Sequence, residues 1–258
     1  VFTDMENAMK EIRAIIERIT RLNEHYQWLH LAVDAFHADI RAGQSLLARR
    51  LPERWDPYLR EQWWPVATLN QMLIVERSGA EVYEPGEIVS LMGFVGQPFR
   101  YKRTLRNVLL IADNTPPSPF IMAIQTLLAN RIAVTLVLSG SAANYPTAHL
   151  PPEVEVVVAD DHLNWSNRVM TVGWADQVFA TVAGDDEMGR MNAIWRIFSE
   201  SRAEVPANYL FGVFQPLLPC GAGACAGCML PLKQGETALV CMEGPAIDLS
   251  TVALPAPY

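Results

Sequence analysis

The chain has four cysteines, spaced Cys220-x4-Cys225-x2-Cys228-x12-Cys241, and none elsewhere in its 258 residues. In an acidic chain expected in the cytoplasm, so tight a group points to a metal site rather than a disulfide framework. The run C-x4-C-x2-C followed by a distant fourth cysteine is the plant-type [2Fe–2S] spacing, in which one loop supplies three ligands and a later strand the last. The intervening Gly221-Ala222-Gly223-Ala224 and Ala226-Gly227 are small enough for backbone to wrap around inorganic sulfide. Glycine also permits the positive φ values such a loop needs, and its N–H groups are free to point at sulfur. A structural zinc site is the competing use of four thiolates, but it normally takes two short C-x2–4-C knuckles, and here there is one. The expectation is one [2Fe–2S] cluster held by Cys220, Cys225, Cys228 and Cys241.

Charge narrows the partners. A net charge of −8 with a pI near 5.2, and no long Lys/Arg run, leaves no footprint for a phosphate backbone. Nucleic acid is therefore not an expected partner. The apolar patch from Val108 to Ala112 stops at Asp113, and no stretch reaches the roughly 18 to 20 apolar residues of a membrane span. Asp4, Glu6 and Glu11 precede any apolar run, which is wrong for a secretory signal, so the expected location is cytoplasmic.

The chain divides by pattern. Met5, Met9, Ile12, Ile15, Ile16, Ile19 and Leu22 recur in steps of three and four, which predicts an amphipathic helix over residues 1–22. From 23 to 103 the pattern changes to short runs, Trp28 to Val33, Met72 to Val75 and Ile88 to Met92. Turn residues at Ala42-Gly43-Gln44, Pro85-Gly86 and Gly93 to Gly96 separate them, which predicts a small β-barrel or sandwich. Residues 104–212 read as a parallel α/β domain: strand Val108 to Ile111, helix Pro119 to Ala129, strands Val134 to Leu138, Val154 to Val158 and Gln177 to Ala180, and a helix near Met188 to Ser199. Residues 213–258 form the Gly- and Cys-rich remainder, the expected [2Fe–2S] domain.

The segment Pro219-Cys220-Gly221-Ala222-Gly223-Ala224-Cys225-Ala226-Gly227-Cys228, followed by Leu239-Val240-Cys241-Met242-Glu243-Gly244-Pro245, closely resembles the electron-transfer subunit of dihydroorotate dehydrogenase B. That family lies within the ferredoxin–NAD(P) reductase superfamily. The resemblance implies a fold of flavin-binding β-barrel, nicotinamide-binding α/β domain and C-terminal [2Fe–2S] domain, in the order derived above. Arg41-Ala42-Gly43-Gln44 is similar to the family's Pro-Gly-Gln turn, Tyr83-Glu84-Pro85-Gly86-Glu87 to its Pro-Gly-Asp turn, and Leu91 to Phe99 to its Gly-Pro-Leu-Gly-x-x-Phe segment.

The cofactor motifs depart from that pattern. The flavin motif corresponds to Leu59-Arg60-Glu61-Gln62-Trp63-Trp64-Pro65-Val66, where Arg60 alone remains to meet a pyrophosphate. The stretch Glu76 to Tyr83 is shorter than the family's and lacks the turn and helix that receive the flavin pyrophosphate. The Gly-rich nicotinamide loop is replaced by Ala112-Asp113-Asn114-Thr115-Pro116-Pro117-Ser118-Pro119, and the later Cys-Gly-Pro motif by Thr181 to Asp186. An acid and two prolines without N–H groups are unsuited to a dinucleotide phosphate, so NAD(P) binding is not expected and FAD is disfavoured. Trp55, Trp63 and Trp64 could stack on a flavin ring but read better as core or interface. His25, His30, His37, His149 and His162 show no ligand spacing, and Asp160-Asp161 and Asp185-Asp186-Glu187 read as solvated turns.

The expected function is one-electron transfer through the cluster, within a larger oxidoreductase complex that supplies a redox protein partner. Two alternatives stand beside it: a complete FAD and [2Fe–2S] reductase subunit, and a non-catalytic structural subunit stapled by its cluster.

Overall fold

The structure, a computed structural model, describes residues 10–51 and 59–255. Its first half is antiparallel: β1 (Lys10–Arg21), β2 (Tyr26–Ala32), a one-turn helix α1 (Ala35–Ala38), then β3 (Ser45–Leu51), β4 (Glu61–Trp63), β5 (Pro65–Leu69), β6 (Met72–Ser78) and β7 (Ile88–Val95). They join in one sheet in the order β4-β3-β7-β1-β2-β6-β5. The two edge strands, β4 and β5, are separated in sequence by Trp64 alone, so the sheet curls until its edges approach. Ile16, Leu29, Leu31, Leu46, Trp63, Leu73, Val89 and Leu91 fill its interior.

The helix expected at the N-terminus is not formed: Lys10–Arg21 is the strand β1, paired with β2 and β7. Met5 and Met9 of that pattern lie outside the described residues. Ile12, Ala14 and Ile16 alternate inward at a period of two, and a bulge between Ile16 and Arg18 shifts the phase so that Ile19 also turns in. One extra residue thus converts a strand repeat into spacings of four and three, the same steps that mark a helix. The β-branched isoleucines favour the strand.

The second half alternates strand and helix: β8 (Asn107–Asp113), α2 (Ser118–Ala129), β9 (Ala133–Ser139), β10 (Glu155–Val158), α3 (Arg168–Trp174), β11 (Gln177–Val182), α4 (Glu187–Ser201) and β12 (Leu210–Val213). The chain ends with β13 (Met229–Pro231), β14 (Thr237–Leu239), α5 (Val240–Glu243) and β15 (Ala246–Asp248). The sheet order is β10-β9-β8-β11-β12-β15, parallel except for β15, which runs antiparallel to β12. Parallel strands covered on both faces read as unbroken apolar runs, as Val108 to Ala112 does. Val108, Leu110 and Ala112 face α2 and the first sheet; Leu109 and Ile111 face α3, α4 and the C-terminal segment. Among the described residues, no helix is long and apolar enough to cross a membrane.

A polar seam joins the halves. The buried Glu76 of β6 accepts hydrogen bonds from Ser118 Oγ at 2.6 Å, Tyr145 OH at 2.6 Å and Trp28 Nε1 at 3.4 Å. Tyr145 OH also lies 3.1 Å from His149 Nε2. Burial raises the Glu76 pKa, against these three hydrogen bonds. The folded state thus favours the neutral acid, a contribution complete below the unfolded pKa and lost as pH rises through the folded one.

Two outcomes follow. Ile16 is fully buried and Ile15 is 47% exposed, so Ile16→Ala is expected to cost about 2–5 kcal/mol and Ile15→Ala about 0.5 or less by urea unfolding. Equal costs would restore the helix, whose expected apolar stripe contains both isoleucines. Relative to Glu76→Gln, the native chain should lose urea resistance as pH rises from about 4.5 upward. A difference between the two that does not change with pH would show that Glu76 is not held in the buried form.

Candidate functional site

The chain leaves the sheet after Val213 and returns at Ala246 as the neighbouring strand, these two residues being paired in register. Phe214 N donates to Pro245 O at 3.0 Å, closing the base of the excursion. Within it, the β13–β14 hairpin pairs Met229 with Leu239, so the residues just outside the ladder, Cys228 and Val240, meet: Val240 N donates to Cys228 O at 3.1 Å. Cys241 follows at once on α5. Leu218, Leu230, Ala238 and Val252 anchor the segment in the core shared with α3 and α4. The segment thus shares a core with the α/β sheet.

All four cysteines come together, unequally covered. Cys228 and Cys241 are buried, Cys220 is half-buried, and Cys225 is exposed. Backbone N–H groups point at every sulfur: Ala222 to Cys220 at 3.4 Å, Gly227 to Cys225 at 3.4 Å, Cys241 to Cys228 at 3.5 Å and Gly223 to Cys241 at 3.2 Å. The loop bends through positive φ at Gly221, Gly223 and Ala226 to achieve this. The Cys220 thiol neighbours Cys225, and the Cys241 thiol neighbours Cys228. Among the described residues, no three His, Cys, Asp or Glu side chains are arranged to hold one metal ion.

The field differs between the pairs. Burial opposes ionisation of Cys220, yet the Ala222, Cys225 and Ala224 N–H groups and the Cys225 thiol outweigh it and bring its pKa down to about 7. Burial pushes Cys241 up to about 12, helped by its bond with Cys228 and by the neighbouring thiolates, against the Gly223 N–H.

The positions expected to carry nucleotide cofactors are occupied otherwise. Arg60 points to Ser90, with Nη1 to Oγ at 2.8 Å, and to Glu11 Oε1 at 2.6 Å. Trp63 lies in the core of the first sheet, and Trp64 is buried against the α/β sheet, with Nε1 donating to Gln215 Oε1 at 2.9 Å; Trp55 lies outside the described residues. Asp113 is fully buried and pairs with Arg190 Nε at 2.6 Å. Asp160 accepts the His162 and Asn164 N–H groups, and Asp186 caps α4 through Gly189 N at 2.9 Å, as turn residues do. Sequence reasoning missed Arg190, Gln215, Glu76 and Tyr145, since each acquires its role only from a partner far along the chain.

Residues 215–253 match the iron–sulfur cluster binding domain of dihydroorotate dehydrogenase B. The rest of the chain shares the fold of ferredoxin–NADP reductase-like proteins. A chain of the NADH-dependent reduced ferredoxin–NADP oxidoreductase, described for flavin-based electron bifurcation, superposes with a TM-score of 0.71 at 15% identity, over 93% of this chain and 90% of that one. The cytochrome b5 reductase domain of Ulva prolifera nitrate reductase gives 0.56 at 10% identity, over 78% of this chain and 97% of that one. The flavohem-like FAD/NAD binding domain of Vibrio cholerae nitric oxide dioxygenase gives 0.56 at 15% identity, over 78% and 98%. No curated protein sequence matches the chain.

The iron–sulfur binding domain depends on one crowded glycine. Gly223 has φ +73°, its N–H faces Cys241, and an added Cβ would lie 2.9 Å from Met242 Cγ; Gly235 has φ +81° with open space around it. Both valine variants carry the same backbone strain, but only Gly223→Val should also lose about half or more of the bound iron after anaerobic reconstitution. Equal iron content in the two would mean that the Gly223 contact does not shape the site.

Proposed function

We propose that this chain transfers single electrons through a [2Fe–2S] cluster held by Cys220, Cys225, Cys228 and Cys241, as a subunit of a larger oxidoreductase complex. The observation that carries the proposal is that four cysteine sulfurs, each met by a backbone N–H, lie in the segment that matches an iron–sulfur cluster binding domain, with Cys220 beside Cys225 and Cys241 beside Cys228. One tetrahedral zinc ion would need all four sulfurs about 2.3 Å from a single point, whereas a two-iron cluster takes two cysteines on each iron. The donor set fits the cluster, with four cysteine sulfurs and a backbone N–H already directed at each.

When bound, such a cluster supplies a one-electron couple whose potential is set by charge, hydrogen bonds to sulfur and exposure. The chain's own residues tune it asymmetrically. Gly223 and the buried Cys228–Cys241 pair provide a dry inner side, while Ala224, Cys225, Ala226 and Gly227 form an exposed outer rim. Leu217 and Met229 stand beside that rim at 64% and 56% exposure, and no charged residue occurs from Phe211 to Leu232. Depletion of charge around apolar side chains is what marks the centre of a protein interface, so this rim supports docking of a redox protein. The residues between, Leu218, Cys228 and Leu230, pack inward on the same chain.

Cys225→Ser tests the assignment directly. Iron and acid-labile sulfide are both expected to fall to near zero, with backbone exchange rising in residues 219–228 while β15, anchored in the sheet, stays protected. Retention of two irons per chain in that variant would overturn the ligand set.

A further inference from the structure

The parallel strands β8 to β10 extend to one side of the α/β sheet and β11 to β12 to the other, so the strand order reverses between β8 and β11. In open α/β sheets a dinucleotide binds in the crevice beyond the carboxyl ends of the strands at such a reversal. Here those ends are Asp113 and Val182, paired in register. Ligands of two-domain proteins also favour the boundary between domains, here the seam between the two sheets. The fold neighbours named for flavin and FAD/NAD binding show that this architecture accommodates such groups.

We propose that in this chain both places are closed by its own side chains, which lock the two sheets together, so that flavin and nicotinamide cofactors do not bind. At the crevice, the fully buried Asp113 holds Arg190 Nε at 2.6 Å, and Arg190 Nη1 reaches back to Asp161 O at 3.0 Å. A diphosphate would have to break this pair, whose Arg190 side is half-buried, and would then meet the buried Asp113 carboxylate, whose second oxygen has no donor among the described residues. Pro116 and Pro117 offer no N–H in the loop after β8, and the first turn of α4 is already capped by Asp186.

In the seam, Trp64 donates to Gln215, Gln215 Nε2 donates to Thr181 Oγ1 at 2.7 Å, and Thr181 donates to Val213 O at 3.2 Å. This chain of bonds runs from the edge of the first sheet to the strand that leads into the iron–sulfur domain. On the far side, Glu76 binds Ser118, at the start of α2, and Tyr145, after β9. Opening the seam for an aromatic ring would strand buried donors on both sides. No helix intervenes between Ser78 of β6 and Ile88 of β7, and Gln27 Nε2 fastens that turn through the carbonyls of Ser78 and Glu81. The nearby cations are committed: Arg60 to Glu11 and Ser90, and Arg77 to Glu61 and Glu81. The pyrophosphate of FAD would find no helix N-terminus between β6 and β7, and these guanidinium groups are engaged.

The closure deepens the electron-transfer proposal, since a chain without a two-electron carrier must exchange single electrons with partners. The test uses the full chain after cluster reconstitution, titrated with FAD and FMN by flavin fluorescence and with millimolar NADH by thermal melting. The expected results are no saturable fluorescence change and no rise in melting temperature. Saturable binding of either flavin, or a clear upward shift with NADH, would overturn the closure. The double variant Trp64→Ala/Glu76→Ala should raise hydrogen exchange in β6 and in the first turn of α2; unchanged exchange there would overturn the lock. Iron measured on the same samples separates the two proposals. A preparation that holds no iron and no flavin refutes electron transfer but leaves the closure standing, and one that holds both does the reverse.

Discussion

The antiparallel pairing of β15 with β12 is the constraint on which the iron–sulfur segment depends. By returning at Ala246 beside Val213, the chain closes a long excursion at its base through ladder hydrogen bonds, reinforced by Phe214 N to Pro245 O. The entropy of closing that loop is met by the sheet and not by the loop itself. With the base fixed, a short hairpin suffices to set Cys228 beside Cys241, and a Gly-rich turn to bring Cys220 and Cys225 over them. Gly96 N and Gln97 N bind Cys241 O and Gly244 O, at 2.9 Å and 2.5 Å, so the first sheet braces the same helix from the other side.

Most of this was legible from local pattern. The cysteine spacing pointed to an iron–sulfur segment, and residues 215–253 match an iron–sulfur cluster binding domain, because such a loop is short and its pattern local. The unbroken run Val108 to Ala112 and the helix and strand that follow it read correctly because a parallel strand buried on both faces has no competing pattern. The strand β1 did not, because its bulge produced helical spacing in isoleucines whose partners, on β2 and β7, come later in the chain. Glu76 and Gln215 gave no local sign either. An acid in a strand and an amide before a proline are unremarkable until folding sets one against Tyr145 and the other against Trp64.

The four thiols are unequally covered. Cys228 and Cys241 are buried, while Cys220 and Cys225 are half-buried and exposed, with backbone donors on each. A cluster held across that gradient would present its outer side, ringed by Ala224, Ala226, Leu217 and Met229, to a partner. The two sheets then serve as a rigid mount, with the Asp113–Arg190 pair and the Trp64–Gln215 contact in the places where related folds accommodate nucleotides.

Electron paramagnetic resonance of the reconstituted chain, recorded before and after dithionite, tests the central claim most directly. The account predicts a silent oxidised protein that, on reduction, gives about one unpaired spin for each two irons, with that signal lost in parallel with iron when any of the four cysteines is replaced. A chain that binds zinc instead of iron, or that holds iron which dithionite leaves silent, would contradict it.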